Sequence, residues 1–162
     1  MLKLRKNKKG FTLVELIVVI AIMAVLAGVV AGVTVSQLNK QTNKTGSAQA
    51  KTIADFISTV ALTGENDDTA GTDYQILNAA GTEFVTDKLD DLIDKQYKAA
   101  SIEVTYVDTV ANANAATTPA AGKISVYLNA AKNLVTVEFK EKGSGGNSIK
   151  YTVSVQGVVS KA

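Results

Sequence analysis

Lys8-Lys9-Gly10-Phe11-Thr12-Leu13-Val14-Glu15-Leu16 opens an apolar run that continues to Val35, and its reading decides the rest of the chain. The residues before Gly10 carry Lys3, Arg5, Lys6, Lys8 and Lys9. Residues 16–33 contain no charge, no Asn or Gln and no Pro. That is the length at which a helix crosses a bilayer. The core helix of a small soluble domain would show a polar face, and this stretch has none. The basic head predicts a cytoplasmic N-terminus with the remainder outside. A discarded secretory signal would have a shorter apolar core closed by a small-residue site with polar residues after it. Here the small residue, Gly10, precedes the apolar run, so a cut there leaves the hydrophobic helix on the product.

Glu15 is the one carboxylate in this segment. A charge within hydrocarbon costs a few kcal/mol even on the lenient insertion scale, so it needs a partner, a function, or a place at the headgroup interface.

Lys9-Gly10-Phe11-Thr12-Leu13-Val14-Glu15 resembles the class III signal of type IV pilins and pseudopilins. The resemblance is close over residues 8–33 and general in architecture beyond. It implies that a membrane-embedded prepilin peptidase cuts after Gly10 and N-methylates the new terminus at Phe11. It implies also that Glu15 pairs with the N-terminal amine of a neighbouring subunit during assembly. Such a pair answers the problem of the lone carboxylate, because opposite charges attract strongly in a low dielectric whereas either alone is penalised. It also explains why the leader must go, since without cleavage no amine lies at that depth.

With 162 residues the chain holds one domain plus an anchor. The net charge of +2 misleads, because the leader carries five of the seventeen Lys and Arg and none of the acids. Beyond Gly10 twelve basic residues face fifteen acidic ones, a net charge of −3. The basic excess is a topology signal and not a nucleic-acid footprint. The chain has no Cys and no His, which excludes thiolate and imidazole metal sites, Cys or His catalysis, and disulfides. Many Gram-negative pilins close their C-terminal region with a disulfide, so its absence favours a Gram-positive source. No nucleophile elbow, P-loop or metal-ligand cluster occurs, so neither enzyme activity nor a cofactor is expected.

Residues 11–63 read as one helix, about 80 Å long at 1.5 Å per residue, protruding from its domain as a stalk. Its apolar half ends near Val35, and a polar stretch follows over residues 36–50. Ile53, Phe56, Ile57, Val60 and Ala61 then recur at helical spacing as a face for a globular domain. Gly64 is the expected C-terminal cap. Thr45-Gly46-Ser47 is the weakest point within the helix. Gly28-x-x-x-Gly32 has two readings: a close-packing surface for neighbouring helices, which is preferred, or a place where the helix stretches during assembly. Many type IV pilins have proline where this chain has Gly32.

Residues 65–100 form a variable connecting region. Its acidic stretch, residues 65–73, has the composition of a calcium loop without EF-hand spacing, and a solvated loop is the simpler reading. Residues 74–77 and 82–85 flank a turn at Asn78-Ala79-Ala80-Gly81 and suggest a small hairpin. Thr86 caps a short helix with Leu89, Leu92 and Ile93 inward and Asp87, Asp90, Asp91 and Asp94 outward. Residues 101–157 show four strands of period two: Ile102/Val104/Tyr106, Ile124/Val126/Leu128, Val135/Val137/Phe139 and Ile149/Tyr151/Val153/Val155. Residues 129–133 and 142–147 are hairpin connections, and residues 110–122, with the single proline Pro119, a flexible surface loop.

The expected architecture is α+β: a long N-terminal helix on a four-stranded antiparallel sheet, the layout of a pilin head. The expected divisions are a leader at 1–10, a membrane and filament-core helix at 11–35, an amphipathic half at 36–64, a variable region at 65–100 and the sheet at 101–162. The resemblance implies a type IV pilus subunit, polymerised into a filament for adhesion, twitching motility or surface colonisation. Its partners would be further copies, minor pilins, the peptidase, the assembly platform and motor ATPases. Before assembly it would sit in the cytoplasmic membrane as a single pass, and afterwards on the cell surface. The nearest alternative is a pseudopilin of a type II secretion or DNA-uptake system, and the size of the head and its variable loop favour the pilus. A monomeric membrane-anchored binding module has little support, with few exposed aromatics and no basic patch.

Overall fold

The computed structural model describes residues 10–64, 75–97, 100, 102–107, 119–143 and 145–162. The chain divides into two compact units, residues 1–38 and 39–162. One helix, α1 (Leu13–Thr63), contributes to both.

In the first unit α1 is exposed on every side, from Leu13 to Leu38. The helix passes without a break through Gly28 and Gly32.

In the second unit α1 ends where Gly64 adopts φ 68°, a left-handed conformation that costs glycine nothing, and the Gly64 amide donates to the Val60 carbonyl at 2.9 Å. The unit adds α2 (Thr86–Tyr97), β1 (Val104–Val107), β2 (Ile124–Leu128), β3 (Leu134–Lys140), β4 (Ser148–Ser154) and β5 (Val159–Lys161). The strands form one sheet in the order β1-β2-β3-β4-β5.

Two features differ from the four antiparallel strands expected. β1 pairs parallel to β2, with Val104 opposite Ile124 and Val107 opposite Tyr127. Parallel neighbours need a crossover of about a dozen residues or more, and the sequence separation between Val107 and Ile124 is long enough for one. β5 is the second difference. The chain turns at Gly157, whose φ is 72°, and its last residues pair back onto β4 through Val153 and Val159. Three residues are too few for alternation to show in sequence. The other pairings are antiparallel, with Val126 opposite Val137 and Val137 opposite Tyr151.

The sheet buries Ile124, Val126, Leu128, Val135, Val137, Phe139 and Val153 against Ala50, Ile53, Ala54, Ile57 and Val60 of α1. The buried stripe thus keeps Ile53, Ile57 and Val60, adds the small residues Ala50 and Ala54, and leaves Phe56 and Ala61 at its margin. Phe56 instead meets Tyr97 of α2 edge-on, ring centroids 6.0 Å apart. α2 buries Leu89, Leu92 and Ile93, as its periodicity predicts. The small hairpin ahead of it is present as one antiparallel bridge, Leu77 to Phe84, closed by Asn78 Oδ1 accepting from the Thr82 amide at 2.9 Å.

Polar bonds fix the helix along the sheet. Asn43 Oδ1 accepts from the Lys142 amide at 2.8 Å, while its Nδ2 donates to the Lys142 carbonyl at 3.1 Å. Further along, Ser58 Oγ donates to the Gly157 carbonyl at 2.6 Å. Between them Gly46 is buried. It is no accidental weak point: its missing side chain lets α1 settle on the Phe139 ring. Of the loop expected over residues 110–122, residues 110–118 lie outside the described residues. Pro119 is buried, and the Gly122 amide is tied to the Lys140 carbonyl at 2.7 Å, so this end of the loop is anchored.

Candidate functional site

The start of α1 carries the candidate functional residues. Gly10 and Phe11 precede the helix, and both are exposed, Phe11 at 93%. Thr12 is the N-cap. Its Oγ1 accepts from the Glu15 amide at 3.3 Å, and Glu15 Oε2 reaches back to the Thr12 amide at 2.8 Å and to its hydroxyl at 2.9 Å. This is a capping box, in which a Thr and a Glu three residues on satisfy each other's end of the helix. The Gly10–Phe11 bond therefore lies outside the helix, just before a defined start.

The box adds a local role for Glu15 that the sequence reading passed over. That reading sought the carboxylate's partner in another subunit. The signal was present as Thr12-x-x-Glu15 ahead of an apolar run, the sequence form of a capping box. Thr12 is the functional residue missed.

Gly28 and Gly32, four apart, share one helix face, and nothing lies within 4 Å of where a side chain would begin on either. In the protomer they form a bare strip among exposed apolar side chains. The helix here is long and apolar enough to cross a membrane, by length and composition.

Among the described residues no group of three or more His, Cys, Asp or Glu is placed to hold a metal ion. The acidic stretch at 65–73 lies outside the described residues. Asp87, Asp90, Asp91 and Asp94 are all exposed on α2, a solvated face. A cavity of about 350 Å³ beside Val60, Leu62 and Ile76 has no titratable side chain among the described residues of its lining.

Among the described residues a polar cluster is buried on the sheet face turned away from α1. Glu138 of β3 is 1% exposed. It accepts from the Tyr127 hydroxyl at 3.0 Å and faces the Lys150 ammonium at 3.3 Å. Burial, aided by the Glu138 carboxylate, pushes the Tyr127 phenol above its ordinary range. A carboxylate so held is a structural acceptor, with no free base to offer a substrate.

Residues 5–31 match the family described as the prokaryotic N-terminal methylation motif, the signal typical of type IV pilins and pseudopilins. No curated protein and no solved structure matches the chain. The motif points to a structural protein rather than an enzyme, to processing by prepilin peptidase and to assembly in a pilus-like system. The match supports a pilin-like or pseudopilin-like reading over these N-terminal residues.

Proposed function

We propose that the chain is the precursor of a type IV pilus subunit. Prepilin peptidase removes residues 1–10 and methylates Phe11. The protein then waits in the cytoplasmic membrane with its N-terminus inside and its β-sheet head outside. Assembly draws it into a filament whose core is a bundle of the helices of residues 11–35 and whose surface is made of heads. The observation that carries this reading is an apolar helix exposed on all sides, which starts at Leu13 within the methylation motif matched over residues 5–31. In water such a surface would have to be covered, at roughly 25 cal/mol per Å². A membrane covers it first, and neighbouring helices afterwards.

In this scheme the Phe11 amine and Glu15 set register between subunits. Gly28 and Gly32 let helix backbones approach closely in the bundle. Minor pilins, the assembly platform and motor ATPases act as separate proteins. A pseudopilin of a secretion or DNA-uptake system is the second reading, supported by the same motif, which the two classes share.

Intact mass and N-terminal sequence of the protein from its native host test the reading. The expected chain begins at methylated Phe11. A chain beginning at Met1 would leave a plain anchor, and cleavage beyond Val33 would make the helix a discarded signal and overturn the proposal.

A further inference from the structure

One end of the head is basic on an otherwise acidic protein. Lys40 and Lys44 are exposed on α1, and the next charged residue toward the N-terminus is Glu15. The Asn43 hydrogen bonds bring the Lys142 backbone beside them. The exposed Lys142 side chain lies across Gly122, whose amide bonds the Lys140 carbonyl. The Lys140 amide in turn donates to the Lys123 carbonyl at 3.2 Å. Lys44, Lys142, Lys140 and Lys123 are thus linked through backbone contacts at the end of the sheet where β2 begins and β3 finishes, with Lys40 one turn away on α1.

Two acids accompany them. Glu103 pairs with Lys123 at 2.6 Å, and Glu141 accepts from the Asn147 amide at 3.3 Å. Among the described residues Lys40, Lys44, Lys140 and Lys142 have no ion-pair partner. The cluster therefore keeps a positive excess, whereas the chain beyond Gly10 is net negative.

Its place in the chain identifies its partner. Lys40 comes five residues after Val35, where the apolar run ends. Five residues span at most about 18 Å even when fully extended. A screening length of about 10 Å at ordinary salt keeps a lysine in that position within reach of a charged membrane surface. Juxtamembrane lysines are attracted to anionic lipid.

We propose that this basic end of the head is a docking surface for the anionic phospholipid headgroups of the membrane from which α1 emerges. It holds the unassembled subunit's head against the outer leaflet. The inference rests on the membrane-anchored state in the proposed function. Each lysine strengthens the attraction by about fivefold, from the usual contribution of one basic residue near an anionic surface.

The test uses the full chain, which has no cysteine of its own. Ala121 is exposed next to Gly122, so Ala121→Cys takes a single fluorophore at the basic end. The labelled protein is reconstituted into phosphatidylcholine vesicles with and without phosphatidylglycerol, each carrying a headgroup-attached quencher. Quenching is expected to be several-fold stronger with phosphatidylglycerol, to fall on adding salt, and to be lost in Lys40→Gln/Lys44→Gln. Lys88→Gln/Lys161→Gln is expected to quench as the parent does. Circular dichroism and urea midpoints confirm that the variants are folded. Equal quenching in both vesicles overturns the proposal. So does a lysine dependence that persists in pure phosphatidylcholine, which would mean contact with another copy of the protein. A chain that floats with neither vesicle would overturn the membrane-anchored reading itself.

Discussion

Gly46 of α1 lies directly on the ring of Phe139 of β3, with no room between them for even a methyl group. Both are buried, and together they set how closely the helix approaches the sheet. Alanine at position 46 raises helix propensity by about 1 kcal/mol but drives a carbon into the ring. Overpacking of this kind costs about 1–3 kcal/mol. Gly46→Ala is therefore expected to lower stability by about 1 kcal/mol in urea unfolding, against its propensity gain. Gly46→Ala/Phe139→Leu should recover part of the loss. A single variant as stable as the parent would mean that the ring moves aside freely.

Gly28→Ala and Gly32→Ala should behave in the opposite way. Among the described residues nothing lies within 4 Å of a side chain begun at either position. Each substitution is expected to stabilise the detergent-solubilised helix by up to about 1 kcal/mol, read from helicity and thermal melting. If assembly then falls while the protomer gains stability, the glycines act between subunits. If assembly is unchanged, the strip is not a packing surface.

The helix, the division of its faces, α2 and four of the strands were legible because runs of one period survive in the sequence. Ile124 to Leu128 and Val135 to Phe139 alternate cleanly and pair in the register that puts their apolar side chains on α1. What could not be read is non-local. Whether β1 lies parallel or antiparallel to β2 depends on how residues 108–123 return, and β5 is too short to show a period. Glu138 alternates as a surface residue should, yet it is buried, because Tyr127 and Lys150 from neighbouring strands close over it. At the helix start Thr12 was legible and passed over, because Glu15 was weighed as a charge and not as a cap.

The Glu138 cluster makes stability depend on alkaline pH. The Tyr127 phenol is held above its ordinary value of about 10. The unfolded chain therefore loses that proton first as pH rises. The contribution is fully present below about pH 10 and is lost progressively above it. Tyr127→Phe should flatten this alkaline fall, while lowering stability near neutrality by about 1–3 kcal/mol because Glu138 loses a donor. The check is a set of urea midpoints from pH 7 to pH 11. A variant with an unchanged alkaline slope would place the titration elsewhere.

Glu15 caps its own helix, and in the proposed function it also pairs with a neighbouring subunit's amine; one substitution separates the two roles. As a helix cap it needs only an oxygen aimed at the Thr12 amide and hydroxyl. Gln serves as well as Glu in a capping box, so Glu15→Gln should leave the helix start intact. Amide exchange over residues 13–16 in micelles should stay at the parent rate. Thr12→Ala, which removes the cap, should speed it about fivefold, the equivalent of about 1 kcal/mol. As the charge partner of a neighbour's Phe11 amine, however, Glu15 needs its negative charge. Glu15→Gln should then fail to polymerise in spite of a well-formed helix, because the amine would meet only a neutral amide in a low dielectric. Normal filaments from Glu15→Gln would show that the carboxylate is kept for the start of the helix alone.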